Sequence, residues 1–90
     1  MKVEKIDHIA INVRDLAKAE KFFADLLGTS FSKRGVSKEL DLISSLDPMG
    51  IELVEPLTPD GPTARAIERR GEGLSLLSFK VSNLRDAVCL

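Results

Sequence analysis

The chain carries one histidine, His8, in the stretch KIDHIAINV, and a glutamate, Glu52, in the stretch GIELVE. Both runs alternate apolar and polar residues with the period of a half-buried β-strand. By parity the first run puts Ile9, Ile11 and Val13 on one face and Ile6, His8, Ala10 and Asn12 on the other. In the second, Ile51 and Leu53 point one way and Glu52 and Val54 the other. If Ile9, Ile11 and Val13 pack under a helix together with Ile51 and Leu53, then His8 and Glu52 share the opposite face. Imidazole and carboxylate are donors that Mn, Fe, Co, Ni or Zn accepts, and a mixed N/O set suits Lewis-acid work on an oxygen-bearing substrate. Two donors fall short of the three protein ligands of a usual catalytic centre, and there is no second histidine. On composition alone a lone strand histidine is more often packed or on the surface than a ligand, and an exposed-face strand glutamate is ordinary.

Other reactive types are scarce. Cys89 has no second cysteine to pair with, and its apolar helical surroundings point to a packed thiol. The run RAIERRGEG reads as a solvated helix end, although Arg65, Arg69 and Arg70 have the chemistry to meet phosphates. EKFFADLLG reads as a core-facing helix.

The elements that must hold His8 and Glu52 follow from local pattern. A strand is expected over 4–13. Asp15 is a plausible N-cap for a helix with Leu16, Ala19, Phe22, Phe23, Leu26 and Leu27 at helical spacing, closed by Gly28. A short strand around 29–33, a polar turn near 34–38, a strand around 39–46, the turn LDPMG and a strand over 51–55 follow. PLTPDGP breaks the pattern, and TARAIERR reads as a short helix stopped by Gly71. The expected organisation is a βαβββ module over 1–57, a linker with a short helix over 58–73, and the start of a second module over 74–90.

That second module rests on an internal repeat. A displacement of 68 residues lays the run from Ile11 to Ala19 on the run from Phe79 to Ala87, with Val, Leu and Ala identical and Asp15 matched by Asn83 as an equivalent cap. It also lays His8 on Leu76, inside GLSLLSFKV. The second unit begins as the first does and stops at Leu90.

Ninety residues, 43% of them hydrophobic, with a formal charge of −1, describe a small soluble domain for which a partner chain would add core. Thirteen basic against fourteen acidic residues leave no basic nucleic-acid footprint, and four Phe without Trp or Tyr leave no stacking platform. No apolar run approaches a bilayer span and MKVEKID has no signal-peptide h-region, so a cytoplasmic protein is expected.

The segments KIDHIAINVRDLAKAEKFFADLLG, GIELVEPLTPDGPTARAIERRGEG and LSFKVSNLRDAV together resemble the vicinal oxygen chelate superfamily, the glyoxalase, bleomycin-resistance and extradiol dioxygenase group. Within it the chain looks most like a truncated methylmalonyl-CoA epimerase. The resemblance implies an α+β fold of paired βαβββ modules. It implies a cup holding a divalent metal (Co, Mn, Ni, Zn or Fe) on a first-strand histidine and a fourth-strand glutamate or glutamine of each module. The first-module ligands fall on His8 and Glu52. The third falls on Leu76, which cannot bind metal, and the fourth lies beyond Leu90. The glutamate that serves a family epimerase as base falls nearest to Glu39. The resemblance further implies a small-molecule ligand, no nucleic-acid or membrane partner and, if the chain is active, an isomerase (epimerase) or lyase moving a proton next to a carbonyl or acyl-CoA group. A homodimer would bring His8 and Glu52 of two chains together at a twofold axis. The alternatives are a metal-free small-molecule binding protein, like the bleomycin-sequestering members, and an inactive truncated relative.

Overall fold

The alternation around His8 folds as a strand, β1 (Val3–Asn12), in the interior of the sheet. The computed structural model describes residues 2–81; Met1 and residues 82–90, which include Cys89 and the expected second capped helix, lie outside the described residues. After β1 come α1 (Leu16–Leu27), β2 (Lys33–Ser37), β3 (Leu42–Leu46), β4 (Ile51–Pro56), α2 (Pro62–Arg70) and β5 (Gly73–Val81). The strands form one sheet in the order β2-β3-β4-β1-β5. β1 and β4 run parallel, joined by the long crossover through α1, β2 and β3 that a parallel pair requires, and the other neighbours are antiparallel. This is the expected α+β arrangement.

Asp15 caps α1 as expected: its side chain accepts from the Lys18 backbone N–H at 3.1 Å, and Gly28 ends the helix in the left-handed region at φ 66°. The helix lies on the face that parity selects. Val13, Leu16 and Leu53 are buried at its centre, and Ile11, Ala19, Phe23, Phe31, Ile43 and Ile51 pack around them. Only part of EKFFADLLG faces this core. Leu16, Ala19 and Phe23 are spaced to meet the sheet, whereas Phe22 and Leu26, one turn apart, form a second stripe that is 59% and 63% exposed. A bidentate pair from Arg34 to Glu20 ties α1 to β2, and the buried Ser45 hydroxyl donates to the same carboxylate at 2.6 Å.

Two local expectations change. The strand after α1 runs from Lys33 to Ser37 rather than near 29–33, and the turn covers 38–41 rather than 34–38, so Glu39 lies in the turn and not in β3. The cause is register. Lys33 pairs with Leu46 and Ser37 with Leu42, leaving four residues for the turn, which Ser37 closes by accepting from the Leu40 N–H and Asp41 by taking φ 58°. The polar β2 is an edge strand with little to bury, so its composition reads as turn. The second change concerns Ile6. A register shift between Ile6 and His8 pairs Ile6 with Phe79 and His8 with Ser78, so two steps along β1 match one along β5. Partners directly opposite share a face. Ile9 faces Leu77 on the α1 side, Phe79 lies two residues from Leu77, and Ile6 therefore joins the α1 side and not that of His8.

β5 docks along the free edge of β1 within its own chain, over almost the whole of both strands.

Candidate functional site

On the face away from α1, the side chains of β1 and β4 floor an open cleft of about 340 Å³. Ala10 and Glu52, register partners, and Val54 lie in its floor. Leu42 from β3 and Leu76 from β5 form its sides, and Thr63 and Ala66 of α2 close one end. The short helix expected as a linker is therefore a wall. Its Thr63 and Ile67 are buried, four residues apart on one face. The signal for this was the amphipathic spacing of Thr63, Ala66 and Ile67, which the prolines and glycine before it obscure.

Glu52 is half-buried in this mostly apolar cleft, and its carboxylate has no ion-pair partner among the described residues. Its position is set by Asp47, buried in the β3–β4 turn. One carboxylate oxygen accepts from the backbone N–H groups of Met49 (3.1 Å) and Ile51 (2.7 Å), and the other accepts from the Thr29 hydroxyl at 2.8 Å. The next constraint is Gly50, at φ 97°, whose carbonyl accepts from the Ile9 N–H at 2.8 Å. A Cβ there would lie 2.6 Å from the Asp7 carbonyl oxygen and 3.4 Å from the His8 Cα. Only glycine lets β4 start this close beside His8.

His8 lies two residues before Ala10, on the same face as Glu52 and outside the residues that line the cleft. Strand spacing puts their Cα atoms on a diagonal of roughly 8 Å, within reach of a shared ligand for two long side chains. His8 Nδ1 is 2.8 Å from Asp7 Oδ2. This hydrogen bond to His8 holds the half-exposed Asp7 carboxyl below its ordinary range, so Asp7 accepts and Nδ1 donates. In the neutral ring that leaves the Nε2 lone pair free, the arrangement in which a carboxylate supports a metal-binding histidine. Sequence reasoning missed Asp7, although it is adjacent to His8.

The structure thus brings Glu52 and Leu76 into one cleft with His8 on the same face, and no group of three His, Cys, Asp or Glu residues suited to a metal occurs among the described residues. The donor types fit a divalent ion; their number among the described residues does not. Glu39 is exposed in the 38–41 turn, next to Leu40, which lines the cleft. That turn is fastened to the segment between β4 and α2, where the Thr58 hydroxyl donates to the Asp41 carboxylate and the Leu57 N–H to the Asp41 carbonyl at 3.1 Å. A second hollow, of about 390 Å³, adjoins the cleft and shares Asn12, Ala66 and Ser75 with it; Arg70 lies on its rim. Arg65 and Arg69 are exposed on α2 and line neither hollow.

A family model described as "Glyoxalase/Bleomycin resistance protein/Dioxygenase superfamily" matches residues 7–89. Among curated proteins, the uncharacterized protein YqjC of Bacillus subtilis is 31% identical over 93% of this chain and 62% of its own length. Human mitochondrial methylmalonyl-CoA epimerase is 31% identical over 93% of this chain and 50% of its own. Among solved structures, methylmalonyl-CoA epimerase from Mycobacterium tuberculosis superposes with a TM-score of 0.81 at 27% identity, covering 92% of this chain and 59% of that one. An epimerase solved in complex with methylmalonyl-CoA and NH4+ matches with a TM-score of 0.80 at 22% identity, which shows the shared fold, over 92% of this chain and 64% of that one. The chain spans about half to three fifths of the length of the curated relatives it matches.

Proposed function

The chain belongs to the glyoxalase/bleomycin resistance/dioxygenase superfamily, and from that premise we propose that its cleft binds a carbonyl compound, an acyl-CoA thioester in the first instance, for proton transfer at the adjacent carbon. One observation carries this reading: Glu52, a carboxylate without an ion-pair partner among the described residues, faces into an apolar cleft with His8 on the same sheet face. In this proposal His8 through Nε2 and Glu52 are half of a divalent-metal ligand set, with Asp7 orienting the imidazole. When bound, such an ion supplies Lewis-acid stabilisation of charge on a substrate oxygen. Glu39, on the turn beside Leu40, is the base that takes the proton from the carbon next to the carbonyl, and Leu42, Val54 and Leu76 give the acyl group an apolar surface to lie against. Arg70, on the rim of the adjoining hollow, is suited to the phosphates of a coenzyme A tail.

Two donors do not complete the set, so the proposal includes a second polypeptide unit. β5 takes the edge of β1 on which a second copy's β1 would lie. Donors from a homodimer partner would therefore reach His8 and Glu52 over the mouth of the cleft rather than along the sheet. Metal analysis of purified protein tests the reading, together with deuterium exchange at the α-carbon of an acyl-CoA. The expected outcome is stoichiometric divalent metal in the wild type and its loss in His8→Ala, with exchange abolished and metal retained in Glu39→Gln. Sub-stoichiometric metal in both wild type and His8→Ala would overturn it.

Leu76 favours a second reading, a metal-free binding protein of this family. It fills the cleft side beside Ala10 with an isobutyl group where the resemblance puts an imidazole. On that reading the same experiment finds no metal, while an apolar carbonyl ligand still binds and Leu76→Arg abolishes binding.

A further inference from the structure

Asp41 and Gly61 each depart from what their own backbone asks for. Asp41, in the 38–41 turn, is the one non-glycine residue at positive φ among the described residues. Glycine takes that conformation freely and an L-residue is strained in it, so the aspartate side chain has to offset the strain. Gly61 is the N-cap of α2 at φ −80° and ψ 176°, extended backbone that any residue adopts. Ser, Thr, Asp or Asn is preferred at such a position for its side-chain oxygen, yet Gly61 supplies none and the first turn of α2 holds no acid. The two departures share one cause. A Cβ on Gly61 would fall on the Asp41 carboxylate, 2.8 Å from its Cγ and 3.0 Å from its Cβ. The carboxylate thus occupies the space of a local cap, at the end of the helix where negative charge is favoured.

The same carboxylate accepts from the Thr58 hydroxyl, and the Leu57 N–H bond to the Asp41 carbonyl carries the β3–β4 pairing one step past Leu42 and Pro56. We propose that Asp41 is a positioning residue, a latch that holds the 38–41 turn, and Glu39 with it, on the N-terminus of α2. Leu40 and Leu42 flank Asp41, Pro62 and Thr63 follow Gly61, and all four line the cleft. The latch therefore sits behind the junction of two cleft walls and sets how they meet. Glu39 is two residues from it, in a turn whose other side-chain tie, from the Leu40 N–H to Ser37, is local. The effect on proton transfer rests on the reading of Glu39 as the base; the latch itself does not.

The test separates positioning from helix capping. Asp41→Gly suits the backbone and removes the carboxylate, and Thr58→Val removes the hydroxyl at an exposed position. Amide hydrogen exchange at Leu57 is measured without metal or substrate, with the Val13 amide, bonded to the Val54 carbonyl, as internal reference. Both variants are expected to speed Leu57 exchange by about 10-fold against Val13. Both are expected to lower kcat for deuterium exchange at the α-carbon of an acyl-CoA by about 10- to 100-fold with KM little changed, because a displaced base is missed in the transition state and not in binding. Asp41→Asn, which tolerates positive φ and keeps an acceptor for Thr58, is expected to recover most of both. In the double variant Asp41→Gly with Gly61→Ser, the serine caps α2 locally, so the melting temperature is expected to recover while Leu57 exchange and kcat do not. Recovery of kcat together with the melting temperature would reduce Asp41 to a helix cap and overturn the proposal. Unchanged Leu57 protection in Asp41→Gly and Thr58→Val, or unchanged kcat where the wild type is active, would overturn it as well. A wild type that exchanges no α-proton while Leu57 responds as expected would overturn the role of Glu39 as base and leave the latch standing.

Discussion

Gly50 gives the sharpest test of how the fold places His8 against Glu52. In Gly50→Ala the new Cβ must lie 2.6 Å from the Asp7 carbonyl oxygen, well inside van der Waals contact, with the His8 Cα at 3.4 Å. Neither neighbour is a flexible side-chain end; both belong to the β1 backbone, and β1 is held between β4 and β5. Relief requires β1 and β4 to part where Ile9 donates to the Gly50 carbonyl. Overpacking of this kind costs about 1–3 kcal/mol, and an L-residue at positive φ adds about 1–2 kcal/mol. The expected loss is about 3 kcal/mol, or roughly 15 °C in Tm for a domain of this size, read by urea and thermal unfolding. Gly50→Asn separates the two causes: asparagine tolerates positive φ but carries the same Cβ, so it should recover only the smaller part. The His8 imidazole resonances should shift in both variants, because the strand that carries them moves. A loss below about 1 kcal/mol for Gly50→Ala, or full recovery by Gly50→Asn, would refute the steric account.

Two further outcomes follow from neighbouring contacts. Asp47→Ala strands two backbone N–H groups and the Thr29 hydroxyl; at about 1 kcal/mol or more for each the loss by urea unfolding should reach about 3 kcal/mol. Asp47→Asn, which keeps an acceptor for both N–H groups, should lose only about 1 kcal/mol. The hydrogen bonds from Arg34 lower the Glu20 carboxyl below its ordinary value of 4.5, with help from Ser45. A depressed carboxylate adds stability above its unfolded pKa and loses it as pH falls through the folded one. Stability should therefore fall below about pH 4.5, and the fall should be shallower in Glu20→Gln when melting is followed across that range.

Much of the site was legible because strand parity depends only on the chain's own stereochemistry. Ile11, Val13, Ile51 and Leu53 had to share a buried face, and His8 and Glu52 were left on the other. Asp15 and Gly28 marked the ends of α1 for the same reason, since both act within a single turn. Parity failed at Ile6, because a register shift is a property of two paired strands and leaves no mark in one of them. β2 was misplaced because an edge strand with polar side chains buries nothing that would force alternation. That α2 would turn back to wall the cleft, that Asp7 would hold His8, and that Leu76 would enter the cleft beside Ala10 depended on long-range packing.

The sequence by itself therefore determined which residues could be ligands, which faces they occupied and that the second copy of the motif carried leucine in place of histidine. Only the tertiary structure decided where that copy goes. β5 lies on β1 of its own chain, because an apolar strand close to an open edge gains a full ladder of backbone hydrogen bonds by closing on it. That docking covers the edge a second β1 would have used.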